Sequence, residues 1–367
     1  MLPLAKNTAL AGAAYVAACV GFRISCLESF TPDETTQAIA LLCLLFSLYS
    51  APSERLQGVP EYVQVLGVIA SVWWTRQVQV VGPSAFDKNT MDMRGKSVLV
   101  TGATGGIGLE TARGLLSQGA TVYVGCRDVE KAKQLFGPKV QVFQLNLESL
   151  EQVKEFAKAF TSKVSELDVL INNAGTMPTD RVMTVDGFES AFQTNCLSTT
   201  LLTMLLVKPL LRGSMRRVVS VSSCTNKLYQ ELDETNMQSQ TSFSMLWNYG
   251  RSKFLLNQTM FELAKRDEVE SITFNVVHPG AITTDIGRHL NIVLRTVRVL
   301  VNVLNKTAWQ GAASQLFLAT NESVSKVSGK YFEHCQIQHV PRLAPKDSKR
   351  FFAQVEQLVG VELKNCV

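Results

Sequence analysis

From residue 95 onward the chain alternates short β-branched runs with longer segments of helical spacing, and this alternation restricts the fold more than any other feature. Strands are predicted at Ser97–Thr101, Thr121–Gly125, Val140–Leu145, Val169–Asn172, Arg217–Val221 and Ser271–Val277. Helical periodicity occupies Gly108–Ser117, Leu150–Phe160, Phe188–Leu206 and Tyr249–Arg266 between them. Strands that alternate with helices pair in parallel through right-handed crossovers. The expected class is α/β, a doubly wound parallel sheet with helices on both faces. Such a sheet binds ligands at the carboxyl ends of its strands, near the point where strand order reverses.

Residues 1–90 are a different material. Asn7–Phe22 and Thr35–Ser53 carry no charge, and Tyr62–Phe86 carries only Arg76. A spanning helix needs about 20 mostly apolar residues, and Thr35–Ser53, with its AIALLCLLFSLY core, meets this most nearly. Asn7–Phe22 also reads as a signal-peptide core or signal anchor. Trp73, Trp74 and Arg76 form the aromatic and basic edge found at bilayer interfaces. We expect an apolar helical membrane segment of one to three helices over 1–90, with helices packed on the soluble domain as the other reading. The polar stretch Asp87–Lys96 marks the boundary with a catalytic domain at 91–367. An intracellular membrane such as the endoplasmic reticulum is the expected location.

The formal net charge of +5 is mild and interspersed, which excludes a nucleic-acid binder built on a basic block. The eight cysteines form no CxxC pair, and the four histidines have no HxxxH spacing. Neither a disulfide framework nor a metal site is expected.

The turn TGATGGIG, Thr101–Gly108, follows the first strand and opens a helix. Gly102 allows the sharp turn, Gly106 lets backbone approach a pyrophosphate, and Gly108 lets helix and strand pack closely; Thr104 and Ile107 complete the expected contacts. The helix N-terminus offers free N–H groups to phosphates. The sheet is therefore of Rossmann type. At the end of the second strand, Gly125-Cys126-Arg127 stands where NAD binders usually carry an acidic residue. A guanidinium suits a 2′-phosphate, so NADP(H) is the expected cofactor, although Asp128 is adjacent.

In NNAG, after the fourth predicted strand, the Asn side chains, Asn173 among them, can bond neighbouring strands, while Ala174 and Gly175 leave space beside a cofactor. Tyr249 and Lys253 lie four residues apart, on one helix face. An ammonium beside a phenol favours the phenolate and brings its pKa, about 10, toward working range. The strand RRVVSVSS ends in Ser222 and Ser223, either of which could polarise a carbonyl or alcohol oxygen. Pro279, Gly280 and Thr284 form a turn suited to closing over a nicotinamide, and His278 reads as a packed loop residue rather than a base.

Together TGATGGIG, NNAG, VSS, YGRSK and HPG, in this order over residues 95–360, resemble the short-chain dehydrogenase/reductases. The resemblance implies an NADP(H)-dependent oxidoreductase interconverting an alcohol and a carbonyl. Tyr249 would be its acid–base, Lys253 the pKa partner and ribose ligand, and Ser223, with Ser222 as alternative, the ligand of the substrate oxygen. Asn195 would hold a proton-relay water. Asn146 stands where the family usually has Asp against the adenine. GCRDVEKA, DGFESAFQTNCLSTTLLT and KTAWQGAASQLFLAT are similar to retinol dehydrogenases and the WW-domain-containing oxidoreductase, which implies a lipophilic, retinoid-, steroid- or fatty-aldehyde-like substrate. Cys224–Asn248 and Ile286–Asn305 would flank it, the latter as a lid, an interfacial helix or a plain amphipathic helix packed on the core. The expected partners are that small molecule and membrane lipid, with a homodimer left open. A membrane-bound NADP(H)-binding regulator without turnover is the alternative.

Overall fold

The computed structural model describes residues 91–280, 282 and 306–367. The N-terminal apolar stretches, Thr284 and Ile286–Asn305 lie outside the described residues. Among the described residues no helix is long and apolar enough to cross a membrane.

Eight strands form one sheet: β1 (Ser97–Thr101), β2 (Thr121–Cys126), β3 (Val140–Gln144), β4 (Val169–Asn172), β5 (Arg217–Val221), β6 (Thr273–His278), β7 (Tyr331–Glu333) and β8 (Gln336–Gln338). Their order is β3-β2-β1-β4-β5-β6-β7-β8. β1 to β7 pair in parallel and β8 closes the edge antiparallel to β7. The central strands β4 and β5 are buried along their whole length. They read as continuous rather than alternating apolar runs because helices cover both faces.

Side-chain alternation on β1 divides the core. Leu99 joins the layer formed with α3 (Leu150–Thr161), α4 (190–205), α6 (Met245–Leu263) and α8 (Pro345–Val359), which includes Phe156, Leu201, Phe254 and Phe352. Val98 and Val100 face α1 (Gly106–Ser117), α2 (Val129–Phe136) and α7 (Ala308–Thr320), meeting Ala112, Leu115, Ala132 and Leu316. The expected doubly wound sheet is therefore present. Its order reverses between β1 and β4, and the carboxyl ends of these strands share one edge with those of β5 and β6.

The structure departs from the sequence reading locally. The segment read as one helix over Phe188–Leu206 becomes α4, which starts at Ser190–Phe192, widens into a π-helical segment at Gln193–Leu197 and resumes as Ser198–Leu205. Its start is set by Glu189, whose carboxylate accepts from the backbone N–H of Ala191 and Phe192. A short α5 follows at Val207–Arg212. α6 begins at Met245, one turn before Tyr249, with Ser244 as its N-cap residue. β7 and β8 were not expected. They are joined by His334 and Cys335, at φ 53° and 61°. A two-residue mirror-image hairpin turn needs this conformation, and Gly or Asn usually supplies it.

Candidate active site

The carboxyl ends of β1 to β6 build the site, together with α4 and α6. After β1, Gly102 has φ 70° and Gly106 φ 55°, values that favour glycine. A Cβ on Gly102 would come within 2.9 Å of the Ala174 Cα. One on Gly108 would collide with the Asn173 amide and lie 2.6 Å from the Gly102 carbonyl. α1 opens at Gly105 with no side chain capping its first N–H groups. A Cβ on Gly105 would meet nothing within 4 Å, so the space before the helix mouth is open. Thr104 and Ile107 are half-buried in this turn. An uncapped helix start beside a side-chain-free cradle fits a pyrophosphate.

Asn173 holds this turn against the β4 end. Its Nδ2 donates to the Thr101 carbonyl at 2.9 Å, and its Oδ1 accepts from Gln315 Nε2 of α7 at 3.2 Å. The backbone N–H groups of Asn173 and Ala174 both donate to Thr101 Oγ1 at 3.0 Å. Gly175 is exposed, and a Cβ there would stand 3.0 Å from Asn195 Oδ1 and 3.2 Å from Lys253 Nζ. The missing side chain leaves room in front of both groups.

Asn195 is fully buried in the π-helical segment. Its Oδ1 accepts from the Thr176 N–H at 2.8 Å, and its Nδ2 donates to the Thr176 carbonyl at 2.9 Å and to Ser252 Oγ at 2.8 Å. It thereby ties the chain after NNAG to α6. π-Helical turns inside α-helices often mark functional positions.

Lys253, buried on α6, donates to the carbonyl of Val221, the last residue of β5, at 2.7 Å. Burial lowers its pKa to about 8, with a smaller opposing effect from Cys196. Tyr249 does not follow the expectation of an activated phenol. Burial, and then the nearby Cys224, push its pKa above the usual value, and a hydrogen bond with Ser223 opposes them. The Lys253 Nζ turns to the Val221 carbonyl and stands 5.8 Å from the centre of the Tyr249 ring. Of the two serines, Ser223 is the one that bonds to Tyr249, and it also accepts from Thr225 Oγ1 at 3.0 Å. Ser222 is buried, with its hydroxyl unpartnered.

Just beyond β2, Arg127 is exposed and makes a 3.4 Å ion pair with Glu148. Asp128 accepts from the Lys131 N–H, capping α2. Its carboxylate is thus engaged locally. Asn146 Oδ1 accepts from the Glu148 N–H at 3.1 Å. Pro279 is buried and Gly280 has φ 96°, with Lys306 packed where a Cβ on Gly280 would go.

Sequence reasoning missed a group beside this site. His278 is the last residue of β6, not a loop residue, and lies opposite Glu333 of β7. Its Nε2 is 3.9 Å from Glu333 Oε1, and Lys227 Nζ is 3.4 Å from Glu333 Oε2. Cys224 interacts with His278. No local motif announces these residues, because only the sheet brings them together.

Comparison with known proteins agrees with this geometry. The family model described as short chain dehydrogenase matches residues 96–292. Retinol dehydrogenase 14 of Mus musculus is 36% identical over 293 residues, 73% of this chain and 87% of that protein. Retinol dehydrogenase 12 of Homo sapiens is 36% identical over 284 residues, 75% of this chain and 89% of that protein. Among solved structures, the Pseudomonas aeruginosa RhlG/NADP active-site complex aligns at TM-score 0.55 and 25% identity, covering 67% of this chain and 97% of that one. An uncharacterized Mycobacterium paratuberculosis protein aligns at TM-score 0.60 and 28% identity, covering 77% and 99%. On the matched family model and these relatives, the chain belongs to the short-chain dehydrogenases and is a nicotinamide dinucleotide-dependent oxidoreductase.

Proposed function

We propose that the protein interconverts a lipophilic alcohol and its carbonyl with NADP(H), and that residues 1–90 hold the catalytic domain, 91–367, on an intracellular membrane. The observation that carries the reaction is the convergence of Asn195 and Lys253 on the side-chain-free space at Gly175, with Tyr249 of α6 hydrogen-bonded to Ser223 just beyond the end of β5.

A bound nicotinamide dinucleotide supplies or accepts the hydride. Ser223 donates a hydrogen bond to the substrate oxygen and orients it. Tyr249, whose raised pKa keeps the phenol protonated at neutral pH, donates its proton to that oxygen during reduction and takes one back during oxidation. The Lys253 ammonium, fixed on Val221, faces the opening at Gly175, where it can bond a ribose hydroxyl and place positive charge beside the phenol. Asn195 positions Thr176 and Ser252 by three hydrogen bonds, and in this reading helps order the water that returns the proton. Gly102, Gly106 and Gly108 shape the phosphate cradle, with Arg127 taking the 2′-phosphate and Asn146 the adenine. Thr284 is assigned to the nicotinamide side with Pro279 and Gly280.

The lipophilic preference rests on two observations. The relatives are retinol dehydrogenases. Leu246 and Trp247, 42% and 49% exposed, stand in the first turn of the helix that carries Tyr249, and Leu246, three residues before the tyrosine, shares its face. NADPH oxidation by the purified chain with retinal, a steroid ketone, a long-chain aldehyde and a small polar ketone tests the reading. Turnover only of the small polar ketone would refute the substrate class. The membrane assignment, with lipid as partner, predicts full-length protein in the pelleted membranes and loss of that attachment when residues 1–90 are removed. A homodimer is proposed as the assembly, tested by light scattering.

A further inference from the structure

We propose that Cys224, backed by His278 and Glu333, is a second reactive centre, a thiol that adds covalently to conjugated enals and enones at the mouth of the Ser223–Tyr249 site. Three neighbouring strands set out the row. Cys224 follows Ser223 beyond the end of β5, His278 ends β6, and Glu333 ends β7. The pairings Val221↔Val277 and His278↔Glu333 align these ends side by side.

Each member has the surroundings that a thiol-activating group needs. Cys224 is partly exposed, whereas Cys126, Cys196, Cys335 and Cys366 are buried. His278 is only 7% exposed, and its Nδ1 has no hydrogen-bond partner. Its Nε2 looks toward Glu333 at 3.9 Å. The carboxylate is in turn held by Lys227, and His334 Nε2 stands 3.9 Å from it. His334 Nδ1 bonds to Lys306 Nζ at 2.9 Å. Tyr249 on α6 and Tyr331 on β7 complete the titratable groups that act on the thiol or are acted on by it. An acid–imidazole–thiol row is the arrangement that activates sulfur nucleophiles elsewhere. The hydride-transfer reading uses none of these three residues.

Charge supports the geometry. Burial and, more weakly, the charge of Glu333 raise the Cys224 pKa, but the charge of His278, its hydrogen bond and Lys227 outweigh them and leave the thiol below its usual value. His278 moves the opposite way: burial lowers it, yet Cys224 and Glu333 carry it above the ordinary imidazole value. Cys126, Cys196 and Cys366 are all raised, with burial the largest cause.

The addition balances without an oxidant or reductant. His278 takes the thiol proton. A sulfur lone pair forms the S–C bond to the β-carbon of the conjugated carbonyl, and the displaced π pair gives the enolate. The imidazolium returns its proton to the α-carbon, leaving a saturated carbonyl thioether on Cys224. Only the placement of the carbonyl oxygen at Ser223 and Tyr249 rests on the proposed function.

The test is incubation of the full-length protein, without nucleotide, with trans-2-nonenal, followed by peptide mass spectrometry; nonanal is the unconjugated control. Cys224 is expected to carry the nonenal mass before any other cysteine, and nonanal to leave no thioether. His278→Asn is expected to slow the labelling about tenfold, by loss of the base that takes the thiol proton. If His278→Asn does not fold, the site of labelling in the native protein decides. A His278→Asn rate equal to the native one, or native labelling that reaches another cysteine before Cys224, overturns the proposal. Since the readout is an adduct mass, it stands or falls separately from turnover.

Discussion

The ammonium of Lys253 donates a 2.7 Å hydrogen bond to the carbonyl of Val221, so the last residue of β5 fixes the cation one helix turn from Tyr249. This contact ties the helix that carries the acid–base pair to the strand that leads into Ser222 and Ser223. Burial lowers the lysine's pKa to about 8, which still leaves it charged at neutral pH.

A pH dependence follows from that value. Lys253 is cationic below about 8 and neutral above it, so dinucleotide affinity is expected to fall as pH rises through 8 in titrations of the nucleotide-free protein. The stability sign is opposite. The folded pKa is depressed below the unfolded 10.5, so folding binds the proton less tightly, and this group's contribution to stability rises with pH between about 8 and 10.5. Lys253→Met should remove both effects. An affinity unchanged between pH 7 and 9 would contradict the role given to the ammonium.

Gly108→Ala should destroy the phosphate cradle. Its methyl group would meet the Asn173 amide and the Gly102 carbonyl, and neither can retreat, since Asn173 is bonded to Thr101 and Gln315. Overpacking of this kind costs about 1–3 kcal/mol. The expected outcome is a lowered melting midpoint together with loss of NADPH binding by fluorescence.

Arg127→Ala is a change at an exposed residue and should leave the melting midpoint unchanged. A charge-assisted hydrogen bond contributes about 1.5–3 kcal/mol, so the NADPH dissociation constant should rise about 10- to 100-fold while that for NADH stays constant. Equal losses for both nucleotides would move the 2′-phosphate contact elsewhere.

Asn195→Ala leaves the Thr176 N–H, the Thr176 carbonyl and Ser252 without their partner in a buried setting. Each such orphaned group costs about 1–3 kcal/mol. Denaturant unfolding should show a loss of at least that size, and nucleotide-saturated turnover should fall as well.

The order of elements and most of the site were legible in the sequence because they depend on local rules. A glycine turn between strand and helix, a Tyr and a Lys four apart, and two serines at a strand end are each set by a few consecutive residues. What escaped depends on other constraints. The π-helical segment that presents Asn195 has an ordinary helical sequence, QTNCL. The β7–β8 hairpin turns on His334 and Cys335, which carry no turn signal. Thr307 and Gln310 form a capping box that starts α7, a signal that was present and could have placed that helix. The expected lowering of the Tyr249 pKa failed because the fold buries the phenol and sets Cys224 beside it, which spacing along the helix does not show.

The most direct test compares the native protein with Tyr249→Phe, following NADPH binding by nicotinamide fluorescence and NADPH oxidation with retinal. The account predicts equal NADPH affinity in both proteins, turnover in the native protein, and a loss of about 10²- to 10⁴-fold in the variant, the usual size of general acid–base catalysis. Turnover in Tyr249→Phe equal to the native rate, by protein that binds NADPH, would contradict the account.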